Sequence, residues 1–157
     1  MKVVSQQLVS KNESSGEIIE NDTSVPHEGQ LVKLSKDGDT VLHIAAAGER
    51  HTGFVKKLLE QMNKEDLAIK NNAGNTAFFL AAASKRVEIV KAMMEKNEDK
   101  VKIRGDSDML PLHKAALMGD KETVEYLYDA TGDELLDDND RFELLLNLVN
   151  NGLYGKF

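Results

Sequence analysis

Three stretches decide how this chain folds: Gly38-Asp39-Thr40-Val41-Leu42-His43-Ile44-Ala45-Ala46, Gly74-Asn75-Thr76-Ala77-Phe78-Phe79-Leu80-Ala81-Ala82, and Asp108-Met109-Leu110-Pro111-Leu112-His113-Lys114-Ala115-Ala116. They align without gaps. Thr40 and Thr76 lie 36 residues apart, and Thr76 and Leu110 lie 34 apart. Each stretch is followed by a second apolar group: Phe54, Val55, Leu58, Leu59; then Ile89, Val90, Met93, Met94; then Thr123, Val124, Leu127, Tyr128. Residues at i, i+1, i+4 and i+5 form one stripe of a helix. These quartets recur after 35 and then 34 residues, so both halves of the unit repeat together. A fixed period of this length marks an array of stacked supersecondary units.

The residue types at the repeated positions have local reasons. Thr40 and Thr76 stand where the first helix of a unit begins, and a hydroxyl there can accept from its free N–H groups. Pro111 falls at a first helical position, where its missing N–H costs nothing. The paired alanines allow a short helix to press close to its neighbours. Gly119 suits the left-handed residue that ends a helix, and Gly38 and Gly74 permit tight turns. The second helices carry the larger aliphatic side chains. No unit can bury its apolar face alone, so stability must accumulate through nearest-neighbour stacking.

The repeating unit resembles the ankyrin repeat, a finger-like turn followed by two antiparallel helices over ~33 residues. Unit three comes closest to that pattern, with Leu110-Pro111-Leu112-His113, Ala115-Ala116, Gly119, Val124 and Leu127. Unit two departs with Phe78-Phe79 for Leu-His, and with Lys85 where the family prefers Gly. Unit one has one extra residue between its helices, near Gly48 to Gly53. The resemblance implies an all-α fold: an ankyrin-repeat solenoid of stacked helix-turn-helix units with β-hairpin-like fingers. The same stretches, with Asn71-Asn72-Ala73 and the later Asp138-Asn139-Asp140-Arg141-Phe142-Glu143-Leu144-Leu145-Leu146, resemble plant ankyrin-transmembrane proteins of the accelerated-cell-death kind.

Composition agrees with one soluble domain. The chain has 157 residues, 41% hydrophobic and 30% charged, an ordinary balance for a folded protein. The net charge of −7 disfavours nucleic acid, whose phosphates require a concentrated basic face. The pairs Lys56-Lys57 and Lys85-Arg86 read as solvated helix ends. With no cysteine, there is no disulfide framework. No apolar run approaches the ~20 residues of a membrane span, so direct membrane insertion is not expected. The sequons at Asn12 and Asn21 read as chance matches in the absence of a signal segment.

Residues 1–29 carry no persistent helical stripe and read as a disordered N-terminal tail. Residues 30–157 form the repeat domain, with units about 36–69, 72–104 and 106–136 and a partial unit 137–157. His27 to Lys36 is a candidate first finger strand. The acidic run Asp137-Asp138-Asn139-Asp140 reads as a solvated loop or helix start. Arg141 to Asn150 reads as the first helix of a degenerate fourth unit, with Leu153-Tyr154 opening its second.

Catalytic signals are missing. There is no thiol nucleophile, no Gly-x-Ser-x-Gly elbow, and no phosphate loop or dinucleotide fingerprint. His43 and His113 hold the same repeat position, which points to a structural bond in the finger-to-helix turn. His27 and His51 are isolated. Met93 and Met94 lie on the second-helix stripe and read as core. No catalytic residue, cofactor or metal ligand is therefore expected. The resemblance implies a surface for other proteins, formed by finger tips and first helices. Its candidates are Lys36, Asp37 and Asp39, then Asn72, Ala73 and Asn75, then Asp106, Ser107, Asp108 and Met109. On the helices they are Ile44, Leu80, Lys114, Leu117 and Met118. The expected function is a non-enzymatic protein–protein interaction module in plant defence or stress signalling, in the cytoplasm or at the plasma membrane through a partner. The alternatives are a truncated cytosolic part of an ankyrin-transmembrane protein, engaging membrane-protein relatives, and a metal-dependent or hydrolytic enzyme.

Overall fold

The structure, a computed structural model, describes residues 32–48, 52–153 and 155. Among these, seven α-helices follow one another: α1 (Val41–Ala47), α2 (Thr52–Glu60), α3 (Ala77–Ala83), α4 (Val87–Lys96), α5 (Pro111–Leu117), α6 (Lys121–Thr131) and α7 (Asp138–Asn150). They form three hairpin pairs and a single fourth first helix. The first helices pack in the order α1, α3, α5, α7, while α2, α4 and α6 pack in order behind them. The arrangement is the stacked helix-pair solenoid that the repeat spacing predicts.

Each first helix begins by a local device written in its sequence. The Thr40 hydroxyl accepts from the His43 N–H, and Thr76 Oγ1 accepts from the Phe79 N–H at 3.1 Å. Leu110 has no capping oxygen, and Pro111 removes one of the N–H groups that would need one. At α7 the Asp137 carboxylate accepts from the Asp140 N–H at 2.8 Å, and Asp140 accepts in return from the Asp137 N–H at 3.2 Å. That reciprocal cap starts α7 three residues before the expected Arg141. No helix follows α7 among the described residues. Leu153 instead closes back on the helix, its N–H donating to Leu148 O at 2.7 Å.

The alanine pairs behave as their size requires. Ala45-Ala46, Ala81-Ala82 and Ala115-Ala116 are at most 1% exposed. Val55, Leu58 and Leu59, then Ile89, Val90 and Met93, then Val124 and Leu127 fill the layer between first and second helices. Phe54 departs from the expected stripe, being 45% exposed where its equivalents Ile89 and Thr123 are fully covered.

The fingers are less regular than hairpins. No strand occurs among the described residues, and the pairing that is described is one antiparallel bridge between Lys70 and Thr76. Val32 to Lys36 is likewise not a strand; Ser35 to Asp37 form a turn. The expected tail (1–29), His27, His51 and Tyr154 lie outside the described residues, as do residues 49–51 of the stretch from Gly48 to Gly53 expected to hold the extra residue. Gly38 has φ of 78°, and a Cβ there would meet the Asn72 side chain at 2.5 Å, so both conformation and space demand glycine.

Lys85 ends the turn after α3 with φ of 61°, the position filled in unit three by Gly119 at 75°. A lysine there bears the left-handed steric cost of about 1–2 kcal/mol, partly offset by the entropy that glycine adds to the unfolded chain. Lys85→Gly is expected to raise stability by about 0.5–1 kcal/mol in urea unfolding; a destabilised variant would contradict this account of the turn.

Candidate functional site

The finger tips are stitched to one another by side chains that the sequence offered as contact candidates. The Asp39 carboxylate accepts from Ser35 Oγ and from Asn71 Nδ2 at 2.8 Å. Asn72 donates its backbone N–H to Asp37 O and its amide to Lys36 O, both in the preceding finger. Asn75 is buried; its side-chain oxygen accepts from the Asp106 N–H and its carbonyl from His43. Asn75 thus links adjacent units through both its oxygens, and Asp39 and Asn72 have their polar atoms largely committed inside the array. Lys36, Asp37, Asp106 and Asp108 remain exposed at the tips, and Met109 is half-buried.

His43 and His113 do more than hold their own turns. His43 Nδ1 accepts from the Thr40 N–H at 3.2 Å and from the Thr40 hydroxyl at 2.8 Å. The proton therefore sits on Nε2, which donates to Asn75 O in the next unit at 2.9 Å. His113 repeats the device, accepting from Leu110 N–H and donating to Asp140 O at 2.9 Å. Unit two has Phe79 at this position, fully buried. Its ring lies against Gly105, where a Cβ would come within 2.8 Å of it. There the Asn75 side chain supplies the crossing hydrogen bond in place of an imidazole.

Other side chains cross the junctions too, in both directions. Arg86, expected at a solvated helix end, reaches back to donate to Gly48 O at the end of α1. Asn151 donates to Ala116 O at the end of α5. Arg104 forms a two-pronged pair with Asp140 at 2.8 and 3.0 Å and also donates to Asp108 O. Asp140, read from sequence as part of a solvated run, is 4% exposed. Its signal was available: it sits three residues after the cap Asp137, the place held by histidine in units one and three.

The first helices present an exposed row. Ile44, Leu80 and Lys114 occupy the fourth position after the cap in α1, α3 and α5, with Ile44 43% exposed and the other two partly exposed. Arg141 stands at the same distance from its cap in α7, but its guanidinium donates to Asp133 O at 3.0 Å and to the Asp138 carboxylate at 3.4 Å. Leu117 and Met118 are 44% and 38% exposed at the end of α5. Lys114 Nζ lies 5.8 Å from the Phe79 ring centroid, which steadies its ammonium over the aromatic face. The row thus runs from apolar side chains in units one and two to a cation in unit three.

A recess of about 280 Å³ is lined by Arg104, His113, Asp140 and Glu143, but the ion pair and the imidazole bond within it serve the unit junction. Among the described residues no group of three or more His, Asp or Glu side chains could hold a metal, and no helix is long and apolar enough to cross a membrane.

Fold and surface define a helical-repeat scaffold, a molecule whose exposed front is made of equivalent positions in successive units. Comparison with known proteins names the class. The family model described as ankyrin repeats (3 copies) matches residues 8–104 and 42–139. The chain belongs to the ankyrin-repeat family, whose repeats mediate binding to other proteins. A transient receptor potential cation channel subfamily A member 1 homolog of Caenorhabditis elegans is 33% identical over 101 residues, 64% of this chain and 8% of the relative. The ANK repeat-containing protein nipk-1 of the same organism is 32% identical over 107 residues, 62% of this chain and 17% of the relative. The chain thus spans a small part of the length of either relative.

Two junction groups give the array an acid response. Burial holds the His43 pKa below 6.5, against the pull of its bond to Asn75. Hydrogen bonding from Arg104 holds the Asp140 pKa below 3.8. Both folded-state values are depressed, so the unfolded chain takes up protons first as pH falls. The stability tied to neutral His43 is complete above pH 6.5 and is lost as pH drops through its folded value; that of Asp140 is lost below 3.8. Stability measured against pH should show the upper step in the wild type and lose it in His43→Gln; an unchanged step would assign it elsewhere. Arg104→Ala should cost about 2 kcal/mol, less than the roughly 3–5 of a fully buried pair because solvent screens it in part. Thermal unfolding checks this, with loss of α7 helicity expected first.

Proposed function

We propose that this chain is a non-enzymatic interaction module that holds another protein against the first-helix row and the exposed finger tips. The observation that carries the reading is the row itself: Ile44, Leu80 and Lys114 stand at one repeated position, flanked by Leu117 and Met118. Each helix pair contributes one side chain at a fixed interval, which suits an extended segment or a surface helix laid along the array. The change from apolar to cationic along the row favours a partner segment with apolar residues at one end and carboxylates at the other. The tips add Asp37, Asp106 and Asp108, which would meet basic groups beyond that segment. The finger residues Lys36 and Met109 border the same surface.

The finer assignment, to plant defence or stress signalling, rests on the resemblance of Gly38 to Gly48, Asn71 to Ala77, Leu110 to Asp120 and Asp138 to Leu146 to plant ankyrin-transmembrane proteins. On that reading the partners include membrane-protein relatives, and the work is done in the cytoplasm or beneath the plasma membrane. A second reading is that the repeats are the cytosolic portion of a membrane protein without independent activity. The match to part of a cation channel homolog favours it. Sequencing the transcript downstream of Phe157 separates the two, since an in-frame continuation encoding membrane helices supports the second.

Affinity capture with wild-type chain and with a Lys114→Glu, Leu117→Glu variant tests the surface. Capture of bound proteins should fall about tenfold or more in the variant, about 1.4 kcal/mol of binding. A control substitution at Lys57, exposed on α2, should leave capture unchanged. Equal loss in both variants, or in neither, would remove the first-helix row from the function.

A further inference from the structure

Asn151 is the one asparagine in the sequence that precedes a glycine. The two residues form the turn after α7, with Asn151 at φ −104°, ψ 9° and Gly152 at φ 69°. The same turn ends the first helices of units two and three, where Ser84-Lys85 and Met118-Gly119 take matching conformations. The repeat itself builds this position, and in unit four an Asn-Gly pair fills it.

The Asn151 side chain is a latch. Its Nδ2 donates to Ala116 O at 3.0 Å and to Leu117 O at 3.4 Å, both at the end of α5, and to Asn147 O of its own helix at 3.0 Å. Arg86 makes a comparable contact earlier in the array, with Gly48 O at the end of α1. Three carbonyl oxygens around one atom accept a donor and nothing else; an amide nitrogen has two protons to give, and an oxygen in its place has none. All three carbonyls lie in the last turns of helices, where the dipole is negative. The other half of α7 is tied separately, by Arg104 to the Asp140 carboxylate and by His113 to Asp140 O. Asn151 therefore holds the C-terminal half of α7 to α5.

We propose that Asn151 is a site of spontaneous deamidation, and that its conversion releases the C-terminal half of α7 from α5. Glycine has no side chain to shield its backbone nitrogen, so Gly152 N can attack Asn151 Cγ. The new N–Cγ bond closes a five-membered imide. The Cγ–Nδ2 bond breaks, and the amide leaves as ammonia with the proton that Gly152 N gives up. Water then opens the ring. Addition at Cγ restores the backbone with an aspartate side chain; addition at the Asn151 carbonyl carbon reroutes the backbone through the side chain as isoaspartate. The net exchange is one water for one ammonia, with no oxidant and no cofactor.

The closed turn holds the reaction back. The Gly152 N–H donates to Val149 O at 3.1 Å and the Leu153 N–H to Leu148 O at 2.7 Å, while the Asn151 amide is anchored on α5. Attack requires a local opening of residues 151–153, and helix ends open at low cost. Conversion then blocks the return. A carboxylate can only accept, so in the closed turn it would face three carbonyl oxygens at negative helix ends. Repulsion favours the open turn, and a slow chemical step becomes a one-way change in how α7 is held.

Peptide mapping of the full chain, aged at mildly alkaline pH, reads the site directly. The amide-to-acid mass gain should appear at Asn151 before any other asparagine, divided between aspartate and isoaspartate, and several-fold faster in urea. Ion exchange separates the converted chains, which carry an added negative charge. Hydrogen exchange on the two fractions should show protection lost over residues 144–150 of the converted chain and kept in α1 to α4. Asn151→Asp supplies the acid without ageing and should show the same loss. Another asparagine converting first, a rate unchanged by urea, or full protection of residues 144–150 in the converted chain would each overturn the proposal.

Discussion

Every feature of this molecule follows from the fact that a short helix hairpin cannot hide its own apolar flank. The neighbour must cover it, and the cover has to be close. Alanine pairs in α1, α3 and α5 supply the closeness, and the larger aliphatic side chains of α2, α4 and α6 fill the volume that remains. Burial of apolar surface provides most of the driving force, at roughly 25 cal/mol per Å², but it does not fix register. Directional bonds across each junction do that. His43 reaches Asn75 O, the Asn75 side chain takes the Asp106 N–H, and His113 reaches Asp140 O. These atoms are buried, so a slip of one position would leave a donor or acceptor unpaired at a cost of about 1–3 kcal/mol each.

The same constraint explains where the surface for partners comes from. Once both flanks of a first helix are committed to neighbours and its back to the second helix, the remaining face is free in every unit at the same position. Selection can vary Ile44, Leu80 and Lys114 without disturbing the stack. The fingers are less free than they look from sequence, because Asp39, Asn72 and Asn75 spend their polar atoms on the next finger. Exposed apolar side chains also lie on α2, at Phe54, and on α7, at Phe142, Leu145, Leu146 and Val149.

The repeat was legible because two independent patterns, the cap-and-alanine stretch and the second-helix quartet, kept the same period. Caps at Thr40 and Thr76, core positions at Met93 and Val124, and a structural role for the two histidines all follow from local chemistry. What the sequence hid was long-range pairing. Nothing near Arg104 announces Asp140, and nothing near Arg86 announces Gly48 O, since each partner lies about one repeat away. The acidic run at 137–140 looked solvated because its charges were read one by one, without the register that places Asp140 at the histidine position. The fingers were expected as small hairpins; side-chain bonds from Ser35 and Asn71 do the work of a ladder, leaving one bridge.

Ala82, fully buried in α3 at the centre of the stack, offers the most direct test of neighbour-dependent stability. Ala82→Leu overpacks that junction, at a typical cost of about 1–3 kcal/mol. Amide hydrogen exchange followed by mass spectrometry should then show faster exchange in α1 and α5 as well as in α3. Acceleration confined to α3 and α4, with α1 and α5 protected as before, would mean that each hairpin stands by itself and would contradict the account.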